Sequence, residues 1–345
     1  MREKILHLID NINTEKYSVY IIANVIDTVQ TEDDFIKHTD FSEFFTKSEF
    51  SSIASAICEI FGYIRIFYSE IEFIHFITDN IHNIDINHTI VYNFARDGVK
   101  EGKKSLIPSF CNLYDLKYTG SNPFVISLLR NKLVYTKYLS TENIPVPMTY
   151  KYRCGDKLNL ALNEKKIIIK NIFESASIGM TSQNILDSHV NNREKQICSI
   201  CKKMNTSEVL IQEYISGSEY EVFVIHDNNK YIAFTPIVIN IHNNDILTDE
   251  ISNLYDYDFN YETNKHICKA LCNTTEKAAE KLNIGTHARF DYRVNSNGQH
   301  YLFDIAGTPY ITRHSSIAYL FKTVLNLKYS DIFKLIAALT VNSNL

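Results

Sequence analysis

The sequence is poor in glycine, with 10 in 345 residues against a usual share of ~7%, and it contains no tryptophan. No uninterrupted apolar run approaches the ~18 residues that a helix needs to cross a bilayer, which argues against a membrane protein. The first residues, Met1-Arg2-Glu3-Lys4, are too charged for a secretory signal peptide. No internal repeat or low-complexity tract is present. We therefore expect a cytoplasmic protein that does not engage a membrane.

Positive charge is also in short supply. Lys and Arg number 35 against 40 Asp and Glu, a formal net charge of −5, and no basic stripe offsets this balance. A nucleic-acid backbone is therefore an improbable main partner, and we expect a small-molecule ligand. The seven cysteines are odd in number and spread along the chain, which favours reduced thiols. Cys198-Ser-Ile-Cys201 has no second pair at zinc-site spacing, so we interpret its cysteines as structural.

A hydrophobic content of 45% with 22% charged residues is typical of a folded chain with a sizeable core, and the length predicts two or three domains. In the first third, strand-like and helix-like patterns alternate. This order predicts a mostly parallel sheet covered by helices, a Rossmann-like arrangement. The predicted strands are residues 17–26, 63–68 and 89–94, and the predicted helices are residues 70–81 and 104–116.

The pattern changes after residue 120. Two helical stretches, 124–130 and 132–142, lead into Ile144-Pro-Val-Pro147, and strands at 167–170 and 209–215 flank a helix at 188–203, which predicts a small α+β domain. From Glu219 onward, hairpins dominate: strands at 220–225 and 231–238, then 287–294 and 299–305 around an Asn-Gly turn. A helix at 264–282 separates them, and helices at 315–325 and 330–339 follow. We predict domains at 1–120, 121–212 and 213–345.

The segment Gly98-Val-Lys-Glu-Gly102-Lys103-Lys104-Ser105 follows a strand and opens a helix, the usual place for a phosphate-binding loop. A Walker A loop needs four residues between its glycines, and here there are three. We interpret the segment as a substrate-side loop or a plain helix start.

Lys170 ends an apolar strand and precedes a polar loop that reaches Gly179. A buried lysine is costly unless it meets an anion, although a surface lysine whose stem is buried is the alternative. The segment Val209-Leu-Ile-Gln-Glu-Tyr-Ile-Ser-Gly-Ser-Glu219 is a strand, a connector and a second strand. Its backbone can face a purine edge, and its Glu219 carboxylate can face ribose hydroxyls.

Asp291 and Asp304 lie on adjacent strands of one predicted hairpin, so that their carboxylates can face each other. Paired carboxylates suit Mg²⁺, which prefers a few carboxylates plus phosphate oxygens. Arg289 projects to the same face as Asp291, because residues two apart in a strand share a face. A simple Arg289–Asp291 ion pair is the alternative interpretation.

Taken in order, these motifs resemble the ATP-grasp superfamily and, within it, the D-alanine:D-alanine ligase group. The resemblance runs from about residue 89 to residue 330, and the first eighty or so residues share only the pattern. It rests on Lys132, on Lys170 with its loop, on the Gln-Glu-Tyr-Ile segment, on Arg289-Phe-Asp291 and on Asp304-Ile-x-x-x-Pro-x-x-Thr-x-His-Ser315. It implies a three-domain ATP-grasp fold of α/β and α+β parts, with ATP between the central and C-terminal domains.

The resemblance also implies roles for individual residues. Two lysines, Lys132 and Lys170, would bind the phosphates of ATP. The strand end formed by Gln212, Glu213, Tyr214 and Ile215 would contact its adenine, and the Glu219 carboxylate would bind its ribose. Asp291 and Asp304 would hold Mg²⁺, and Arg289 would stabilise the negative oxygen of the tetrahedral intermediate. Residues 174–180 would form a lid that excludes water, with Ser177 catalytic. Glu174, Tyr261 and Ser315 would lie beside the substrates, and Ser315 would bind the carboxylate of the second amino acid.

Several positions depart from the family pattern. Asp304 and Ala306 stand where the family has Glu and a metal-binding Asn. Ala176 replaces a lid serine, which in the family meets a tyrosine that corresponds to Tyr261 here. Asn260 replaces a lysine that contacts phosphate, and Tyr310 replaces a glycine. The Ser-x-Glu substrate loop of D-alanine ligases is not visible.

The resulting hypothesis is an ATP-dependent carboxylate:amine ligase that makes an amide or dipeptide through an acyl phosphate. It would require ATP and Mg²⁺, use amino acids or related carboxylates as substrates, and could form a homodimer. Two alternatives remain open: a degenerate ATP-grasp protein that binds nucleotide for regulation, and an ester-forming depsipeptide ligase.

Overall fold

A computed structural model of the chain describes residues 1–26, 43–158, 165–175, 177, 179–187, 192–242 and 244–343. Among these residues, no helix is both long enough and apolar enough to cross a membrane.

The N-terminal part is a parallel four-stranded sheet with the strand order β2-β1-β3-β4. Its central strands β1 and β3 are almost entirely buried, as expected for a parallel sheet covered on both faces. The strands are β1 (Ser18–Ala23), β2 (Tyr63–Phe67), β3 (Thr89–Phe94) and β4 (Lys117–Tyr118). Helix α1 (Arg2–Asn11) precedes them, and the helices between them are α2 (Lys47–Cys58), α3 (Glu70–Asn80) and α4 (Leu106–Leu113).

Helices α3 and α4 cover one face of this sheet, and α1 and α2 cover the other. The second face also receives the last helix of the chain, α11 (Tyr329–Asn342), which packs between α1 and α2 and against β3. The Tyr92 hydroxyl donates to the Phe333 carbonyl at 2.7 Å, and the ring of Phe94 meets that of Phe333 edge-on. The first sheet of the chain therefore shares its core with the last helix.

The central part is a small antiparallel sheet with the order β5-β8-β6-β7, covered by α7. Its elements are β5 (Thr149–Arg153), β6 (Ile167–Lys170), β7 (Ile185–Leu186), α7 (Arg193–Lys203) and β8 (Glu208–Glu213). One expectation is wrong here: Cys154 and Cys198 are paired as a disulfide, not free, with their Cα atoms 5.2 Å apart. The two were not recognised because 44 residues separate them in sequence.

The C-terminal part is an antiparallel sheet with the order β12-β11-β9-β13-β14, and β10 pairs with β9 beside it. The region predicted as one strand, 231–238, is two strands, because Pro236 cannot donate to a ladder and the chain turns there. The strands are β9 (Ser218–Asp227), β10 (Lys230–Ala233), β11 (Ile237–Ile241), β12 (Tyr257–Tyr261), β13 (His287–Val294) and β14 (His300–Ala306).

Helix α9 (Lys265–Lys281) packs on this C-terminal sheet, and α5 (Pro123–Arg130) and α6 (Lys132–Thr141) share the same core. The short helices α8 (Asp249–Leu254) and α10 (Ser316–Tyr319) lie near the sheet, and α10 continues into a π-helical turn at Leu320–Val324. The start of α5 is fixed by Asn122, whose side chain accepts from the Val125 backbone, with Pro123 at the first helical position. Arg130 is the last residue of α5 and Lys132 is the first residue of α6, so the two lie at the facing ends of these helices.

Candidate active site

A cavity of about 640 Å³ lies where the N-terminal sheet, helix α5 and the C-terminal sheet meet. A smaller cavity of about 90 Å³ adjoins it, on the side of the central sheet. The two share Ser177, Glu219 and Asp304 in their walls, so they form one crevice. Most of the charged residues that the sequence singled out lie along this crevice.

The acidic wall of the crevice is made by three neighbouring strands. Asp291 on β13 lies directly opposite Glu221 on β9 and opposite Asp304 on β14, so that the three carboxylates share one face of the sheet. The pairing of Asp291 with Asp304 is the arrangement that the hairpin predicted. Glu221 was not predicted as a site residue, because the pairing of β9 with β13 joins segments about 70 residues apart.

Arg289 lies between two of these carboxylates. Its Nε and one of its terminal nitrogens donate to Asp291, both at 2.8 Å, and that nitrogen also lies 3.1 Å from Glu221. Burial raises the pKa of Glu221 to about 7, with Arg289 opposing the shift and Asp291 adding to it. Burial likewise raises the pKa of Asp291, since it outweighs the attraction of Arg289. The Arg289–Asp291 ion pair anticipated as an alternative is therefore present.

Asp304 is held by cations instead. The Lys132 ammonium pairs with it, and the Tyr135 hydroxyl donates to it at 2.9 Å. Although burial opposes its charge, Lys132 and then Lys170 hold the pKa of Asp304 down, at about 2. One predicted phosphate ligand and one predicted metal ligand are thus paired with each other.

Lys170 stands at the end of β6 and donates to the side chain of Gln212 at 2.9 Å, and its ammonium lies 4.6 Å from the centre of the Phe303 ring. Gln212 in turn donates to the Thr149 hydroxyl at 3.1 Å. Burial, followed by the nearby charge of Lys132, lowers the pKa of Lys170 to about 8. Lys170 has no carboxylate in salt-bridge contact among the residues that the structure describes, and a desolvated cation of this kind is well suited to receive an anionic phosphate.

Glu219, the predicted ribose ligand, is 7% exposed and pairs with Arg293 at 2.9 Å. Arg293 was not singled out by the sequence, although it lies two residues beyond Asp291 on the same strand face. It also donates to the carbonyl of Gly217, whose φ of +146° and close approach to Val294 leave no room for a side chain. Arg293 lines the smaller cavity beside Lys132 and Lys170.

The predicted adenine segment, Gln212 to Ile215, begins at the end of β8. Its backbone N–H groups at Glu213 and Tyr214 donate to the carbonyls of Met148 and Lys166, at 2.8 and 2.9 Å. The Glu213 carboxylate pairs with Lys165 at 2.5 Å. None of Glu213, Tyr214 and Ile215 lines either of the two cavities. Their role toward adenine stays a prediction.

Four described residues of the predicted lid line the crevice: Glu174, Ser175, Ser177 and Met180. Ser177 lines both cavities and has a φ of +56°, and Glu174 pairs with Lys103 at 3.1 Å and with Arg130 at 3.4 Å. Ala176, whose departure from the family pattern was noted, lies outside the described residues.

Tyr261 and Ser315 are not brought to the crevice wall. Tyr261 is 46% exposed, and Tyr257, four residues earlier on the same strand and hence about 13 Å away, lines the cavity together with Tyr255. The Ser315 hydroxyl caps α10 by accepting from the Ala318 backbone and donates to the Thr312 carbonyl at 2.8 Å. Among the described residues, Tyr257 is therefore better placed than Tyr261 to face a substrate.

The acidic wall fits Mg²⁺ that arrives with a nucleotide. No group of three His, Cys, Asp or Glu side chains among the described residues forms a ready-made metal site. Mg²⁺ commonly uses one or two carboxylates and takes its other ligands from phosphates and water. Asp291 and Asp304 would be those carboxylates, and Ala306 beside them offers no side-chain donor.

Comparison with known proteins identifies the family of the chain. A family model described as "D-ala D-ala ligase C-terminus" matches residues 163–337. The D-alanine–D-alanine ligase of Marinomonas sp. (strain MWYL1) is 23% identical over 252 residues, which cover 69% of this chain and 73% of that protein. That of Petrotoga mobilis is 28% identical over 214 residues, covering 61% and 65%.

Two solved structures share the fold. The D-alanine–D-alanine ligase of Bacillus anthracis in complex with ATP superposes with a TM-score of 0.65 at 15% identity, over 94% of this chain and 97% of that one. The Coxiella burnetii enzyme gives 0.66 at 14% identity, over 94% of each chain. With its family model matched over half of its length and an ATP-grasp fold throughout, the chain belongs to the D-Ala-D-Ala ligase family, whose members are ATP-dependent ligases that form a carbon–nitrogen bond.

Proposed function

We propose that the chain activates the carboxylate of one small substrate with ATP and joins it to the amine of a second, releasing ADP and phosphate. The observation that supports this most directly is the convergence of Lys132, Lys170, Asp291, Asp304 and Arg289 on one crevice. Amino acids are the substrate class. The relatives named above act, by name, on D-alanine, and the identity of the two amino acids here is a separate question.

The chemistry assigns a task to each group. An oxygen of the first carboxylate attacks the γ-phosphorus, the bond to ADP breaks, and an acyl phosphate forms. The amine of the second substrate then attacks the acyl carbon, and phosphate leaves as the amine loses its proton. Lys132 and Lys170 bind and orient phosphate oxygens, and Arg289 stabilises the negative oxygen that develops on the acyl carbon.

Mg²⁺, held through Asp291 and Asp304, would neutralise phosphate charge and so ease phosphoryl transfer. Ser177 and the residues around it would exclude water from the acyl phosphate, which otherwise hydrolyses. Glu219 with Arg293 beside it would meet the ribose, and Gln212 to Ile215 the adenine.

Nothing in the described ranges favours a purely regulatory nucleotide-binding role or an ester product over an amide. The domain division at 1–120, 121–212 and 213–345 is part of the proposal, as are a cytoplasmic location and a homodimer. The proposed action on small molecules needs neither nucleic acid nor membrane.

The decisive experiment supplies pairs of amino acids to the full chain with ATP and Mg²⁺, follows ADP release in a coupled assay and measures product mass. We expect ADP release to depend on the amino acids and the product mass to equal the two substrates minus water. Lys132→Ala should abolish this activity, whereas Lys151→Ala, which removes an exposed lysine paired with Glu208, should not. ADP release that ignores every amino acid, or a product without the amide mass, would contradict the proposal.

A further inference from the structure

Four cations are buried together at the N-terminal end of the large cavity, away from the acidic wall. We call them the cationic cluster: Arg96, Lys103 and Lys104 lie in the segment after β3, and Arg130 is the last residue of α5. Their exposed fractions are 1%, 1%, 6% and 5%, so none of them is an ordinary surface charge. Arg96, Lys104 and Arg130 line the cavity. None of these residues has a role in the proposed binding of ATP.

The cationic cluster has fewer anions than cations. Its carboxylate partners within the described ranges are Glu43, which is completely buried and pairs with Lys103, Lys104 and Arg130, and Glu174 from the lid. Among the described residues, four positive charges thus meet two negative ones. Burial lowers the pKa of Lys104 well below its ordinary value, despite Glu43, because Arg130 and Arg96 add repulsion. An uncompensated buried charge is costly, and the cost is relieved when an anion binds.

Arg96 is the member without a carboxylate partner among the described residues, and its Nε, like that of Arg130, has no hydrogen-bond partner there. Its guanidinium lies between two aromatic rings, 3.8 Å from the centre of Tyr310 and 4.6 Å from that of Phe45. Within the described ranges, its terminal nitrogens reach only the Thr308 carbonyl, at 3.5 Å, and its Nε reaches no acceptor. No carboxylate contacts it within the part of the chain that the structure describes. The rings hold a planar fork in place, and such a fork matches a carboxylate with two parallel hydrogen bonds.

We propose that one substrate of this ligase carries a side-chain carboxylate in addition to its amino-acid groups, and that Arg96, with Lys104 and Arg130 beside it, binds that carboxylate. The substrate class is therefore a dicarboxylic amino acid or a closely related diacid. This inference rests on the proposed function, since it deepens the substrate class of the same cavity. The α-carboxylate of a neutral amino acid is the competing source of the same chemistry, and the experiment separates the two.

The test measures binding to the full chain by titration calorimetry with two probes of similar length, glutarate and glutaramate, in which an amide replaces one carboxylate. We expect glutarate to bind at least roughly tenfold more tightly, the size of effect that a charge-assisted bidentate pair gives. Arg96→Gln should remove that preference. Arg65→Gln is the matched control, because Arg65 also stacks on an aromatic ring, at 3.7 Å from the centre of Phe76, but lies outside the cavity.

Equal binding of glutarate and glutaramate to the unmodified chain overturns the proposal, and so does a preference that survives Arg96→Gln. If circular dichroism shows Arg96→Gln to be unfolded, Arg96→Lys replaces it. That variant keeps the charge and loses the fork, so the preference should shrink several-fold, and an unchanged preference overturns the proposal.

A kinetic arm identifies the source of the carboxylate and keeps the two proposals distinguishable. Glutamate should support ADP release with a lower KM than glutamine, and Arg96→Gln should raise the KM for glutamate alone. Equal KM values for the two would assign the site to the α-carboxylate and overturn the inference. Glutarate binding without any amino-acid-dependent ADP release would refute the proposed function and leave the carboxylate site standing. ADP release driven only by neutral amino acids, without glutarate binding, would overturn the inference and leave the proposed function standing.

Discussion

Removing the charge of Asp304 should strengthen the binding of metal-free ATP while weakening catalysis. Asp304 pairs with Lys132, the lysine proposed to meet a phosphate, and lies near Lys170. ATP must therefore take Lys132 away from this carboxylate and also approach a like charge. Asp304→Asn removes both obstacles, but it also removes a proposed Mg²⁺ ligand.

The size of the effect follows from the pKa of Asp304. Its fall from 3.8 to about 2 corresponds to about 2 kcal/mol of net attraction between the carboxylate and its neighbours. The side chain is 26% exposed, so screening by water is limited. If most of that attraction opposes ATP, the variant should bind ATP on the order of tenfold more tightly in EDTA. With Mg²⁺ present the gain should disappear, and turnover should become slower and need more free Mg²⁺.

Titration calorimetry with ATP in EDTA and then in excess Mg²⁺ provides the measurement. Asp291→Asn is the matched control, because Asp291 pairs with Arg289 and its removal releases neither lysine. Its ATP affinity in EDTA should rise much less than that of Asp304→Asn. The reasoning is refuted if Asp304→Asn binds metal-free ATP no more tightly than the unmodified chain, or if the two variants behave alike.

Three further predictions concern the same crevice. The pKa of Lys170, about 8 against an ordinary 10.5, means that its charge is lost as pH rises through 8, so ATP affinity should fall between pH 7.5 and 9.5; calorimetry should show a flatter profile for Lys170→Arg, and equal profiles would contradict the assignment. Arg289→Lys should lower kcat by at least roughly tenfold with little change in the KM for ATP, and near-normal kcat in steady-state assays would count against a transition-state role. Ala306→Asn should lower the Mg²⁺ concentration for half-maximal activity, because it adds an oxygen donor beside Asp304; an unaltered Mg²⁺ titration would contradict this and point to another side chain, such as Glu221 opposite Asp291, as the donor.

Local sequence signals predicted the elements that depend on local physics. The apolar strand at residues 89–94, the helix predicted at 124–130 and the Asn-Gly hairpin that pairs Asp291 with Asp304 all lie where the patterns placed them. Lys132 and Lys170, which the family resemblance singled out, lie with Asp304 in the wall of the smaller cavity, because α6 begins and β6 ends there.

The residues that escaped prediction are joined by long-range contacts. Arg130 pairs with Glu43, although 87 residues separate them in sequence. Arg293 pairs with Glu219, although strands β10, β11 and β12 lie between them in sequence. A single sequence without an alignment carries no signal for such pairs, since each partner alone is consistent with a solvated surface charge. The sequence pointed to Tyr261 and not to Tyr257 for a related reason: both lie on one strand, and only the packing of that strand decides which of them lines the cavity.

The packing of α11 on the first sheet has a consequence for how the chain is made. The strands of that sheet are complete at Tyr118, yet the helix that covers part of one face ends at Asn342. At a synthesis rate of about 5–20 residues per second, roughly 10–45 s pass between the two events. During that interval the apolar surface around Tyr92 and Phe94 lacks its partner. The nascent chain therefore offers a hydrophobic surface to the ribosome-associated chaperones, and the N-terminal sheet, although synthesised first, is among the last parts to reach its native packing.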